Sequence, residues 1–163
     1  MVRFIVIFII ISVGSGCSSK KVDLVDPVEA KFIVSPPTYA KGTNINVINE
    51  CFMLEEVESS FLLYSRTYSL NSVLSKDITN ISDDQFVIKM KFNDVTPNAF
   101  HPFSFRPISE AIISVSVMKN GEIVDEFSKK INSKWAFTAC DRLEKIAKAS
   151  GKYAAKWLNK RGY

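Results

Sequence analysis

What this chain has little of narrows its chemistry first. It carries one histidine, His101, and three cysteines in 163 residues. A hydrolase triad needs a base, and the sole imidazole stands beside Pro102 in a segment crowded with proline and phenylalanine. A zinc site needs three or four ligands at suitable spacing. One histidine and two distant cysteines, Cys51 and Cys140, do not supply them, so neither a metal nor another cofactor is expected. Gly42, Gly121 and Gly151 are isolated, so no glycine-rich loop stands ready for phosphate. The carboxylates show no paired placement on strand ends of the kind glycosidases use. No repeat or low-complexity tract is present, and a formal charge of +4 is too mild to call for nucleic acid. The absences lead away from an enzyme.

The long apolar run is confined to the start. Arg3 provides a short positive region, Phe4 to Ile11 is wholly apolar, and the small residues Gly14, Ser15 and Gly16 follow. That layout is a secretory signal, too short to span a hydrocarbon core of roughly 30 Å. Cys17 comes directly after the small residues. The arrangement resembles a bacterial lipobox, in which such a cysteine becomes the lipidated first residue, although Gly14 stands where an aliphatic residue is usual. By that resemblance Ser18, rather than Asp, after the cysteine implies the outer membrane, with the domain on its periplasmic face. The alternative is ordinary cleavage, or an uncleaved anchor, with Cys17 incidental. The expected organisation is therefore a signal peptide over 1–16, a polar lipidated tether over 17–29, and one α+β domain over 30–163.

Setting Cys17 aside leaves Cys51 and Cys140, and thiols in an exported chain usually pair. The pair would close a loop of about 90 residues, which the chain-entropy account values at roughly 4 to 5 kcal/mol. Two separate buried thiols are the alternative.

Patterning outlines the domain. Ala30 to Ser35 reads as a strand with Phe32 and Val34 on one face, stopped by Pro36 and Pro37. Thr38 to Thr43 reads as a loop, and Ile45 and Val47 as an extended segment. Asn49 is a candidate N-cap for a helix from Glu50 to about Ser69, where Leu54, Val57, Phe61, Tyr64 and Tyr68 recur at helical spacing. Asn71 to Asp84 is polar and loop-like. From Gln85 to Asn93, Phe86, Ile88, Met90 and Phe92 alternate with Lys89 and Lys91, the strongest strand signal in the chain. Val95 to Ile108 holds three prolines and three phenylalanines and reads as a long loop that packs or binds through aromatics. Asn120-Gly121 between two alternating runs predicts a hairpin. Thr138 caps a last helix to about Lys160, with Cys140, Leu143, Ile146, Ala147, Ala154, Trp157 and Leu158 as its apolar stripe. Gly151 suggests close packing of that helix against the sheet. Trp135 and Trp157 are expected in the core, and Arg142 with Lys145, Lys148, Lys152 and Lys156 on a basic outer face.

If Cys51 and Cys140 pair, the two helix starts meet. Both helices then pack on one face of a mixed or antiparallel sheet, giving a two-layer α+β sandwich whose other face is covered by the phenylalanine-rich loop or by a partner. The Asn49-Glu50-Cys51 helix start, and the tail with Cys140, Leu143, Gly151, Ala155, Trp157 and Leu158, resemble a group of uncharacterised small bacterial lipoproteins. Their element order is similar to the periplasmic domain of the curli secretion lipoprotein and the N-terminal domain of TolB. The resemblance implies a non-enzymatic envelope module with a protein partner. The surfaces that could serve it are the loop with Phe100, His101, Phe103, Phe105 and Arg106, or the basic face of Lys145, Lys148, Lys152 and Lys156. An inhibitor that blocks an enzyme through Phe100 to Phe105 is the other reading, and the oligomeric state is left open.

Overall fold

Alternation along three long strands builds the sheet. A computed structural model describes residues 30–77, 81–99, 107–134 and 136–163. The leader, Cys17 and its tether, the segment from Phe100 to Arg106, and Trp135 lie outside the described residues. Strands β1 (Phe32–Val34), β2 (Thr38–Tyr39), β3 (Ser72–Leu74), β4 (Phe86–Ala99), β5 (Ile108–Lys119) and β6 (Glu122–Ser133) form one mixed sheet in the order β3-β1-β4-β5-β6, with β2 also on β4. β1 runs parallel to both β3 and β4, whereas β4, β5 and β6 are antiparallel. Two long helices, α2 (Met53–Thr67) and α3 (Ala139–Arg161), lie on one face, and α1 (Ile45–Glu50) leads into α2. The expected two-layer α+β architecture is the one observed.

The core is the meeting of the alternating faces. Phe32 and Val34 of β1, Ile88, Met90 and Phe92 of β4, and Ile113, Val115 and Val117 of β5 pack against Val57 and Phe61 of α2 and Leu143, Ile146, Ala154 and Leu158 of α3. Each of these side chains other than that of Ala154, fully buried, contributes about 1.5 to 3 kcal/mol. The opposite sheet face carries Lys89 and Lys91 on β4, Ser114 and Ser116 on β5, and Glu126 and Lys130 on β6. These are polar residues at home in water, so this part of the sheet needs no cover. The hairpin turn is as expected: Asn120 and Gly121 both take positive φ, 51° and 82°, the combination a type I′ turn demands.

Several local expectations give way. The segment with Ile45 and Val47 is helical, because the Asn44 side chain accepts from the Asn46 N–H and caps it. Asn49 and Glu50 therefore end α1, and α2 starts later, at Met53. Thr38–Tyr39 and Ser72–Leu74 are short strands rather than loop. β4 continues to Ala99 through Pro97, which is tolerated because the register with β5 shifts between Thr96 and Ala99 and no ladder bond is asked of it. The register also shifts at the start of β6, where Met118 faces Ile123 but Val117 faces Asp125. The extra residue turns Ile123 away from the core, to 58% exposure. Phe127 and Ile131, beyond the bulge, pack against the core as expected.

Gly151 packs against α2, not against the sheet. A Cβ built there would lie 2.5 Å from the Val57 carbonyl oxygen and 2.6 Å from the Phe61 nitrogen. Across the same seam Ser60 Oγ donates to the Lys148 carbonyl at 2.7 Å. The helices run parallel: contacts ascend both in the same direction, from Phe52 with Glu144 through Glu56 with Lys148 to Tyr64 with Lys152. Replacing Gly151 with Ala should lower the unfolding free energy in urea by about 1 to 3 kcal/mol through overpacking, although Ala gains about 1 kcal/mol of helix propensity. Unchanged or higher stability of Gly151→Ala would show that the contact can relax.

Candidate functional site

The two helix starts meet at one end of the sheet. Cys51, the residue after α1, is joined to Cys140 in the first turn of α3, with Cα atoms 5.0 Å apart. Cys51 sits in the corner between α1 and α2 rather than one turn inside a helix, so the clamp fixes a bend as well as a pair. Thr138 caps α3 in a capping box with Asp141, the Thr138 hydroxyl accepting from the Asp141 N–H at 3.0 Å. The Phe52 N–H donates to Glu144 Oε1 at 3.3 Å, tying the start of α2 to the first turns of α3.

Beside this clamp lies a charge the periodicity hid. Arg142 is buried, with 2% of its surface exposed, instead of joining the outer basic face. Its Nε donates to Ser109 Oγ at 2.9 Å, Nη2 donates to Asn98 Oδ1 at 2.9 Å and to the Pro97 carbonyl at 3.4 Å, and Nη1 donates to the Ala136 carbonyl at 3.3 Å. Ser109 in turn donates to the Pro97 carbonyl. One guanidinium therefore holds the end of β4, the start of β5 and the approach to α3. Those are the roots of the segment with Phe100, His101, Phe103, Phe105 and Arg106, whose own residues lie outside the description. The signal that would have found it is positional: Arg142 stands four residues before Ile146 and eight before Ser150, both buried.

Around the clamp the surface is unusually apolar. Ile45, Ile48 and Phe52 are 62%, 43% and 64% exposed, and Phe137, three residues before Cys140, is fully exposed. Phe137 also lines an open groove of about 810 Å³ with Pro107, Ala136, Glu144, Lys145 and Lys148. Periodicity missed Ile45, Ile48, Phe52 and Phe137 because they belong to a short helix and to caps, where no long period exists.

The basic stripe is placed as expected, with Lys145, Lys148, Lys152 and Lys156 all exposed on α3. Part of it is spent within the chain. Lys148 lies 3.4 Å from Glu56, and the Lys152 ammonium stands 5.0 Å over the Tyr64 ring. Both partners, Glu56 and Tyr64, belong to α2 of the same molecule. Trp157 is partly buried and stacks on Phe127 with ring centres 4.8 Å apart. Elsewhere, burial and the nearby Glu55 push the Tyr39 phenol up to about 12, and the same two causes raise Glu58 against the opposing pull of Lys76.

No protein-family model and no curated protein matches this chain. Solved structures do resemble it. A Xanthomonas campestris protein of family DUF330 aligns over 85% of this chain and 91% of its own, at 10% identity and a TM-score of 0.56. Lipoprotein GNA1162 from Neisseria meningitidis aligns over 78% of this chain and 99% of its own, at 11% identity and a TM-score of 0.47. A minor lipoprotein from Acinetobacter baumannii aligns over 80% and 91%, at 5% identity and 0.44. At these identities the Xanthomonas match establishes a shared fold.

The Arg142 knot gives a direct test of how this end is held. Arg142→Ala should cost about 3 to 5 kcal/mol in a denaturant titration, because it leaves a cavity and several buried acceptors without donors. Arg142→Lys should recover only a minor part, since an ammonium cannot reproduce the fork. Full stability of the lysine variant would show that charge alone, not geometry, is what the site requires.

Proposed function

We propose that this is a lipid-anchored protein of the bacterial cell envelope whose domain docks a protein partner through the clamped end. The observation that carries the reading is where the apolar surface lies relative to the chain's attachment. Phe32 pairs with Phe86 at the start of β4, and Tyr163 at the end of α3 packs on both rings. The tether therefore enters at one end of the sheet. Phe52 and Phe137 are exposed at the other, beside the Cys51–Cys140 disulfide. Large exposed apolar side chains grouped around a rigid support are typical of docking surfaces.

The leader supports the anchor. Arg3, the apolar run and the small residues before Cys17 fit export followed by lipidation, and acyl chains on Cys17 contribute about 0.8 kcal/mol per buried CH₂. Ser18 favours the outer membrane, with the domain in the periplasm. The domain itself acts by binding rather than by catalysis. Cells producing Cys17→Ser should release the protein into the soluble periplasmic fraction, and retention in the membrane fraction would overturn the anchor. Photocrosslinkers placed at Phe52 and at Phe137 should trap the same partner, while one at Lys91 on the uncovered sheet face should not. Equal trapping from Lys91 would remove the clamped end as the docking surface.

A further inference from the structure

The sheet ends in a long strand with one neighbour. β6 spans Glu122–Ser133 and pairs with β5, and among the described residues nothing pairs with its other edge. Such an edge is an invitation to a further strand, and proteins usually guard it with charge. Here the guards are sorted by sign. Glu122, Asp125 and Glu126 occupy the first half of β6, and Lys129 and Lys130 the second. Guards of one sign would repel a second copy in every register. Sorted guards attract a copy that runs the opposite way.

The geometry selects one alignment. The Glu126 N–H is taken by Asp125 Oδ1 at 2.9 Å, which marks Glu126 as turned toward the open edge. By alternation Ser128 and Lys130 also present their N–H and C=O groups outward. In an antiparallel pair related by a twofold axis, residues facing each other must lie on the same side of the sheet. Glu126, Ser128 and Lys130 share the uncovered face, opposite Ser116, Ser114 and Ile112 of β5. Centring the pair on Ser128 places Glu126 of each copy against Lys130 of the other, and Phe127 against Lys129. Centring it on Glu126 or on Lys129 would set like charges face to face. Centring on Phe127 would leave Glu126 against Ser128 and set Asp125 against Lys129, two groups already engaged by Arg161 and by the Tyr153 ring of α3.

We propose that β6 is a homodimerisation edge, pairing antiparallel with β6 of a second copy about a twofold axis through Ser128. Glu126 approaches Lys130 of the other copy, and that lysine already holds Glu110 of its own chain at 2.6 Å. Each of the two symmetric clusters therefore has one base between two acids on the uncovered face. Phe127 keeps its stack on Trp157, because helix α3 covers the other face. The interaction asks only that the Asp125 side chain yield the Glu126 N–H to the new ladder. The surface differs from the clamped end, so both can be occupied at once.

The test uses the full-length chain in cells. Ser128→Cys places a thiol opposite its own counterpart, at a Cα separation of about 5.5 Å for such a pair, within disulfide range. A band of twice the chain mass should appear on a non-reducing gel and vanish on reduction. Ser116→Cys, one strand inward, should give no such band. Adding Glu126→Lys to Ser128→Cys should cut the crosslink at least about tenfold, as should Lys130→Glu. Combining the two reversals should restore it. Because Lys130→Glu also faces Glu110, circular dichroism checks that each variant is folded. Absence of the Ser128→Cys dimer, an equal band from Ser116→Cys, or no recovery in the doubly reversed chain would each overturn the proposal.

Discussion

The close approach of α2 and α3 at Gly151 sets the terms for the rest of the molecule. Two helices can share one face of this sheet, side by side and parallel, only if their axes come near enough for both to cover it. Gly151 and Ser60 allow that by leaving no bulk in the seam, and the Ser60 hydroxyl closes on the Lys148 carbonyl instead of facing water. The disulfide then does not so much bring the helices together as fix their phase. With Cys51 joined to Cys140, contacts along the seam ascend both helices in the same direction, from Phe52 with Glu144 to Tyr64 with Lys152.

Parallel helices give the domain two chemically distinct ends. At one end the start of β1, the hairpin turn and the C-terminal Tyr163 come together. At the other stand both helix N-termini, the disulfide, the Arg142 knot and the exposed phenylalanines. Arg142 is the structural link between these features. It donates to neutral acceptors, Ser109, Asn98 and the carbonyls of Pro97 and Ala136, and it draws three chain segments to the start of α3. A charge kept in the interior in this way fixes position more than it adds stability.

What could be read beforehand follows the strength of each local signal. Ile88 to Phe92 alternates with Lys89 and Lys91, Asn120-Gly121 has one economical conformation, and Thr138 caps a helix by side-chain chemistry alone; all three emerged as expected. Short elements were illegible for the complementary reason. Ile45, Val47 and Ile48 are β-branched and suggest extension, but α1 is decided by the Asn44 cap and by the turn into Cys51. Pro97 argued for a loop, yet a register shift absorbs it within β4. Arg142 was hidden because Pro97, Asn98 and Ser109 lie 33 to 45 residues away in sequence, and only the Ala136 carbonyl is near it. The exposed phenylalanines become meaningful only once the disulfide has put Phe52 and Phe137 at the same end.

β1 is short, but its setting has a mechanical consequence. It lies between β3 and β4, parallel to both, and it directly follows Ala30 and Lys31. A load applied through Ala30 along the strand axis would act on both ladders in shear, so that their hydrogen bonds resist together and do not open one after another. The same three residues at the sheet margin, pulled sideways, would peel. A strand of minimal length, placed inside the sheet and pulled along its axis, thus makes a firm point of attachment.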